Sequence, residues 1–208
     1  MLLVNLEINI EDVLFNAVET LKNGGIIAYP TETFYALGVK FDVEDSLKRL
    51  LEIKKRPGDK AIPLIIGNRE ILYSITSSIS NKAEILINRF WPGPLTLILC
   101  AKENLSDYIT AGTSTIAVRV PGESFALQLV KAAGFPITAT SANPSGMQPA
   151  QNAETVIKYF DEKVDLIIDG GYTPGGSPST ILDVTGDEIK IIREGAIKKE
   201  HLKYLIDQ

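Results

Sequence analysis

Apolar residues recur along this chain at two different spacings. Spacing of three to four residues predicts helices over 9–22, 44–53, 68–75, 81–90, 123–133, 153–160 and 198–206. Short runs rich in β-branched residues lie between them and predict strands over 25–29, 61–66, 95–101, 114–120, 136–141, 164–171, 179–185 and 188–194. Gly186-Asp187 predicts a hairpin turn between the last two strands.

This interleaving is typical of an α/β fold with a mixed β-sheet and flanking helices. No linker, repeat or shift in composition divides the chain, so we predict a single domain over 1–208. The first helix has clear end signals, because Asn9 can cap its start and Asn23-Gly24-Gly25 can end it.

The composition limits the kinds of functional site that the chain can contain. The formal charge is −5, with 21 Lys+Arg against 26 Asp+Glu. This charge argues against a protein whose whole surface binds nucleic acid, but it leaves a local basic groove possible. Cys100 is the single cysteine and His201 the single histidine, so a cysteine-rich zinc site is excluded and a Ser-His-Asp triad is improbable. No apolar run reaches the roughly 20 residues that cross a bilayer, and the first residues lack a basic segment. We therefore expect a cytoplasmic protein.

Four polar segments of the chain are candidates for ligand binding. The first two are a turn and a charge cluster. Residues 30–33 (PTET) follow a predicted buried strand, although such a turn is about as often merely solvated. Lys54-x-Arg56-Pro57 ends the second helix and begins the densest positive stretch of the chain. A charge run at a helix end usually caps the helix dipole, but here Pro57 and Gly58 turn the chain away and leave two cations side by side, as in a phosphate clamp.

The other two segments lie on predicted strands. Arg119 stands between valines, where a buried guanidinium needs an anionic partner; a surface position on an edge strand is the simpler alternative. Residues 138–146 (TATSANPSG) turn from apolar strand into hydroxyl and amide side chains that can face an anion. Residues 170–177 (GGYTPGGS) lack the Lys-Ser/Thr pair of a phosphate-binding loop.

These segments together resemble the YrdC-like family of threonylcarbamoyl-AMP synthases, in the short, single-domain form. The resemblance rests on GGIIAYPTETFYALG, KKRPGDKAIPLII, FWPGPLTLIL, TIAVRVP, TATSANPSG and STILDV…IIREG, which occur in order over 24–195. It implies a twisted mixed sheet with a concave, positively charged groove. It also implies a nucleotidyltransferase that condenses L-threonine, bicarbonate or CO2, and ATP into threonylcarbamoyl-AMP and pyrophosphate. A downstream tRNA threonylcarbamoyl transferase complex would use that product, and Mg2+ would enter with the nucleotide.

The resemblance also assigns residues. Thr31 and Arg119 fall at threonine-contacting positions, and the nucleotide-contacting positions are Lys54, Arg56, Thr115, Ser141, Asn143 and Arg193. Lys54 and Arg56 would stabilise charge on the phosphates as the catalytic pair. Two positions depart from the family: Gly67 stands where several members have a histidine, which suggests that the threonine side is completed differently, and Ala150 stands where some have a serine, so that only a backbone contact remains there.

Two alternatives remain open. The chain would be an RNA-binding module if the cluster at 54–60 held double-stranded RNA or tRNA without catalysis, although the charge of −5 argues against it. A carbamoyl-transfer domain of the kind found in hydrogenase-maturation proteins is the other, but those are larger chains with zinc fingers, which one cysteine cannot form.

Overall fold

The computed structural model describes residues 1–6, 9–55 and 60–206. The strands are β1 Leu2–Asn5, β2 Ile27–Pro30, β3 Tyr35–Gly38, β4 Leu64–Ile65, β5 Leu95–Cys100, β6 Thr115–Arg119, β7 Ile137–Thr138, β8 Thr140–Ser141, β9 Leu166–Asp169, β10 Thr180–Asp183 and β11 Lys190–Arg193. The helices are α1 Ile10–Lys22, α2 Glu44–Lys54, α3 Arg69–Ile75, α4 Asn81–Phe90, α5 Asp107–Thr110, α6 Phe125–Ala133, α7 Ala153–Phe160 and α8 Lys199–Ile206, with a 3-10 turn at Asp161–Lys163.

The strands form two mixed sheets. In the first sheet the order is β1-β9-β2-β3-β8, and in the second it is β11-β10-β5-β6-β4-β7. Parallel pairs (β1 with β9, β10 with β5) occur beside antiparallel ones (β2 with β3, β5 with β6). The predicted α/β class with mixed strands is confirmed, and β10 and β11 form the expected antiparallel hairpin.

The segment 136–141 differs from its prediction as one strand. The chain leaves the second sheet after β7 and enters the first at β8, because β7 pairs with β4 and β8 pairs with β3. Between them, the Ala139 N–H donates to the Pro63 carbonyl oxygen (2.8 Å). This short crossing joins the two sheets and brings Ser141 to the end of the segment that enters the first sheet.

The side chains of the second sheet alternate between the core and a less buried face. The core side includes Leu97, Leu99, Ile116, Val118 and Leu182, all at most 2% exposed. Residues one position away are less buried and share the opposite side, which we call the open face: Ile98, Cys100, Thr115, Ala117, Arg119, Ile181, Asp183 and Arg193. The strand period places Thr115 and Arg119 on this surface, and Arg193 joins them because it pairs with Ile181 across a register shift in β10.

Local signals fix the ends of the first two helices. The Asn9 side chain accepts from the Glu11 N–H (3.1 Å) at the start of α1, as predicted. Helix α2 ends where Lys55 adopts the left-handed conformation (φ 48°), and the chain leaves the helix directly after Lys54. Lys54 is thus the last helical residue and lies against the neighbouring segments.

Candidate functional site

Arg119 ends β6 and lies beside a loop of the first sheet. Its Nη1 forms an ion pair with Oε1 of Glu32, and the two side chains are 12% and 20% exposed. The prediction that Arg119 needs an anionic partner is confirmed, but the partner belongs to this chain. Glu32 Oε2 is buried, and it accepts no hydrogen bond from the part of the chain that the structure describes. The pair therefore borders the open face with one oxygen lacking a donor.

The loop that carries Glu32 is held by Thr31. The Thr31 hydroxyl donates to the Phe34 carbonyl oxygen (2.7 Å) and accepts from the Thr33 N–H (3.1 Å). Gly175 fastens the loop from outside, since its N–H donates to the Thr33 carbonyl oxygen (2.7 Å). Thr31 is only 8% exposed, so the structure places its hydroxyl in the turn that orients Glu32.

Arg193, on β11, is the second arginine of the open face. Its Nε and Nη2 donate to the Ser179 carbonyl oxygen (3.2 and 2.8 Å). Burial, and then the positive charge of Arg119, lower the pKa of Arg193 below its ordinary value. The two guanidinium groups therefore interact electrostatically, although β6 and β11 are not neighbours in the sheet.

The same charges act on a tyrosine beneath the loop. Tyr29 is fully buried, and its hydroxyl donates to the Thr138 carbonyl oxygen (3.0 Å). Burial raises the pKa of Tyr29; Arg119 lowers it and Glu32 raises it by smaller amounts. Tyr29 therefore keeps its proton as a buried hydrogen-bond donor below the ion pair.

Lys54 differs from the solvated cation that its helix-end position suggests. It is 2% exposed, and its ammonium group donates to the carbonyl oxygens of Ser141 and, at 2.8 Å, of Asn143. Its own carbonyl oxygen accepts from the Ser145 N–H (2.8 Å). Lys54 therefore holds the turn after β8 through both its ammonium group and its backbone carbonyl oxygen. Arg56, its predicted partner in the phosphate clamp, lies outside the described residues.

The turn that Lys54 holds contains the predicted hydroxyl and amide. Ser141 is exposed, whereas Asn143 is only 8% exposed. The Asn143 Nδ2 donates to the carbonyl oxygens of Pro144 (3.0 Å) and Met147 (2.7 Å), so one half of the amide closes the turn. Its Oδ1 is buried and receives no hydrogen bond from the residues described. The structure thus brings Lys54, Ser141 and Asn143 together.

Thr115 begins β6 and lies on the same side of the strand as Arg119, which ends it. Its hydroxyl hydrogen bonds to the Thr113 hydroxyl (2.9 Å). Four residues of extended chain separate the two positions by about 13 Å. Thr115 therefore shares the open face with Arg119 but lies at its far end.

The two departures from the family pattern have structural explanations. A Cβ at Gly67 would lie 2.7 Å from the Val130 carbonyl oxygen of α6, so backbone atoms occupy the space that a side chain would need. That the threonine side is completed by other residues stays a prediction. Ala150 is buried; its N–H donates to the Ala142 carbonyl oxygen (3.2 Å) and its own carbonyl accepts from the Tyr35 N–H (2.9 Å). Both backbone groups of Ala150 thus form hydrogen bonds within the fold, and a backbone contact from Ala150 to a nucleotide stays a prediction.

Sequence reasoning singled out the PTET turn but assigned Glu32 no role. The available signal was the buried-looking Arg119, which required an anion somewhere in the chain. The structure identifies that anion as a residue 87 positions away.

The α/β fold thus carries two arginines and a carboxylate on or beside the open face, and a lysine-supported turn of hydroxyl and amide side chains after β8. Side chains of these types suit small anionic ligands. Within the described residues, no group of three or more His, Cys, Asp or Glu side chains is placed to hold a metal ion.

The Sua5/YciO/YrdC family model, described as telomere recombination, matches residues 19–195, and the chain belongs to this family. The chain is 39% identical over 188 residues to threonylcarbamoyl-AMP synthase of Pyrococcus abyssi, covering 90% of this chain and 55% of that protein. It is 33% identical to the Marinobacter nauticus threonylcarbamoyl-AMP synthase, covering 84% of this chain and 93% of that protein. The chain thus spans about half the length of the Pyrococcus relative and nearly all of the Marinobacter one.

Solved structures agree with this assignment. The structure of P. abyssi Sua5 complexed with L-threonine superposes with a TM-score of 0.91 at 37% identity, over 99% of this chain and 60% of that one. Escherichia coli YciO superposes with a TM-score of 0.83 at 29% identity, over 95% and 96% of the two chains. The YrdC-like fold expected from the sequence is confirmed.

Proposed function

We propose that this chain is an L-threonylcarbamoyladenylate synthase. It condenses L-threonine, bicarbonate or CO2, and ATP to threonylcarbamoyl-AMP and releases pyrophosphate, for the threonylcarbamoyladenosine modification of tRNA. Relatives named threonylcarbamoyl-AMP synthase at 39% and 33% identity support the proposal. A structural neighbour with L-threonine bound supports the choice of amino acid.

The observation that carries the proposal is the position of Arg119 on the open face. The guanidinium offers five N–H groups, and its ion pair with Glu32 uses Nη1. A planar fork of this kind suits a carboxylate, so Arg119 would bind the carboxylate of threonine. Thr31 would contribute by holding the adjacent loop in place.

The nucleotide would lie along the rest of the open face and the turn after β8. Arg193, Thr115 and Ser141 are the described residues that offer it a cation and hydroxyls. Lys54 would act on the phosphates through its charge and through the turn that it supports. Arg56 would supply the second charge of the catalytic pair.

The reaction needs no covalent nucleophile from the protein. The unprotonated amine of threonine attacks CO2 and loses a proton to solvent, which gives a carbamate. A carbamate oxygen then attacks the α-phosphate as pyrophosphate leaves. Positioning and charge stabilisation are therefore what the chain must provide.

Mg2+ would enter with ATP, held mainly by the phosphates. Asn143 Oδ1 is an amide oxygen that lacks a donor within the described residues, and it fits a hard cation that prefers oxygen ligands. Asn143 would thus supply one oxygen ligand at the edge of the nucleotide site, where the ion would neutralise phosphate charge.

Further parts of the assignment are also proposals. We place residues 1–208 in one YrdC-like domain whose product passes to a downstream tRNA threonylcarbamoyl transferase complex in the cytoplasm. Contact with tRNA or double-stranded RNA would be secondary, given the net charge of −5. Among the residues that the structure describes, no helix is long and apolar enough to cross a membrane.

The direct test is pyrophosphate release by the purified chain with ATP, bicarbonate and L-threonine. We expect release that depends on threonine. An Arg119→Lys variant keeps a charge for Glu32 but loses the fork, so the KM for threonine should rise about tenfold while the KM for ATP stays unchanged.

Arg89→Ala removes an exposed arginine of α4 and serves as the matched control, with both constants unchanged. The proposal is wrong if the wild-type chain releases no pyrophosphate in response to threonine. Tight, salt-sensitive RNA binding in that same preparation would then favour the RNA-binding module.

A further inference from the structure

Glu32 and Arg119 together present both signs of charge at the edge of the open face. They are 20% and 12% exposed, so the pair borders the open face instead of lying deep in the core. The loop holding Glu32 is fixed by the Thr31 hydroxyl and by the Gly175 N–H. Glu32 is therefore a positioned carboxylate beside the proposed carboxylate-binding arginine.

One oxygen of the Glu32 carboxylate lacks a hydrogen-bond donor among the described residues. Oε1 accepts from Arg119, while Oε2 is buried with no donor among the described residues. A buried acceptor without a donor is costly, so such an atom marks a place where a donor from outside the chain is favoured. The terminal torsion of a glutamate is soft, and its carboxylate can turn to offer an oxygen to the open face while keeping its contact with the arginine.

An α-amino acid carries a carboxylate and an ammonium group on adjacent atoms. A guanidinium beside a carboxylate is complementary to that arrangement, with each substrate charge next to its opposite. We propose that Glu32 binds the α-ammonium group of threonine as it enters, and so selects an amino acid over other small carboxylic acids. The inference rests on the proposed function, because it takes threonine as the ligand of Arg119.

Two other roles for Glu32 make different predictions. If Glu32 only covered Arg119 until a substrate carboxylate displaced it, removing its charge would strengthen binding of every carboxylate. If Glu32 only kept the arginine in place, removing its charge would weaken all of them equally. Only a contact to the ammonium group changes the preference between ligands that differ in the amine.

The experiment compares L-threonine with (R)-3-hydroxybutanoate, which is threonine without its amine, by titration calorimetry. We expect the wild-type chain to prefer threonine by at least about tenfold, the value of one charge-assisted hydrogen bond. In Glu32→Gln the amide oxygen still accepts from Arg119, but the charge is gone. The preference should then shrink to within about threefold, with ATP affinity unchanged.

Glu103→Gln, which alters an exposed carboxylate between β5 and α5, should keep the wild-type preference. Equal binding of the two ligands by the wild-type chain overturns the inference without any variant. So does an unchanged preference in Glu32→Gln, or tighter binding of both ligands. Each of these failures leaves threonine-dependent pyrophosphate release intact, whereas failure of the proposed function abolishes that release.

Discussion

The burial of Lys54 leads to a prediction that the sequence alone would not make. A cation at a helix end, followed by proline and glycine, suggests that its truncation leaves the fold intact. In the structure Lys54 is 2% exposed, and its ammonium group donates to the Ser141 and Asn143 carbonyl oxygens. We therefore expect Lys54→Met, which keeps the length of the side chain, to destabilise the protein as well as to slow turnover.

The magnitude follows from the two carbonyl groups that lose their donor. Each buried acceptor left unsatisfied costs about 1–3 kcal/mol, and relief from burying the ammonium group offsets part of the sum. A net loss of about 2–4 kcal/mol is the expected result. In a chain of this size, that corresponds to a fall in Tm of about 4–16 °C.

The assay is urea unfolding at pH 7, with pyrophosphate release measured well below the Tm of the variant. Turnover should fall at least about tenfold, because the displaced turn carries Ser141 and Asn143. Lys48→Met, at an exposed position of the same helix, is the matched control and should stay within about 0.5 kcal/mol of wild type. If Lys54→Met is as stable as this control, Lys54 does not support the turn; a stable but inactive variant would indicate that Lys54 acts only on the phosphates.

Three further predictions address the other parts of the molecule. Arg56→Ala should lower turnover at least about tenfold without a change in Tm, and normal turnover would remove Arg56 from the phosphate clamp. Burial raises the pKa of Tyr35 to about 12, so the folded chain keeps a proton that the unfolded chain releases above about pH 10. The free energy of unfolding should therefore fall as the pH rises from about 10 to 12, by at most about 1.4 kcal/mol per pH unit for this group. Urea unfolding of Tyr35→Phe should show a shallower fall with pH. A fall as steep as that of the wild-type chain would contradict the assignment. Valine should be a very poor substrate and serine a weaker but detectable one in the pyrophosphate assay, because a site that hydrogen bonds a hydroxyl rejects the analogue without it; equal turnover with valine would show that the hydroxyl is not read.

Periodicity located most helices and strands, but it missed the strands with little pattern. Strand β3 (Tyr35–Gly38) is buried at all four positions, because it has neighbours on both edges and packs on both faces. Four buried residues ending in glycine show no alternation. Strand β1 (Leu2–Asn5) is an exposed edge, and its pairing with β9 depends on a strand more than 160 residues away.

The same limit applies to the candidate site. That Arg119 requires an anion follows from its valine neighbours, since an unpaired buried charge is too costly. Which residue pairs with it depends on how a loop of the first sheet reaches the end of β6, and no local pattern encodes that. Lys54 resembled a solvated cap for the same reason, because the turn that covers it begins 87 residues later.

The partners of the two arginines divide the open face by charge. Arg119 is paired with a carboxylate, so its charge is largely compensated before any ligand arrives. Arg193 is held by the carbonyl and hydroxyl oxygens of Ser179, which carry no net charge, so its positive charge remains. A neutral pair suits a zwitterionic amino acid, while an uncompensated cation suits a polyanion such as ATP. Under the proposed function, the carboxylate of Glu32 would keep one end of the face from competing for the triphosphate, and a reaction that joins an amino acid to a nucleotide would use that separation.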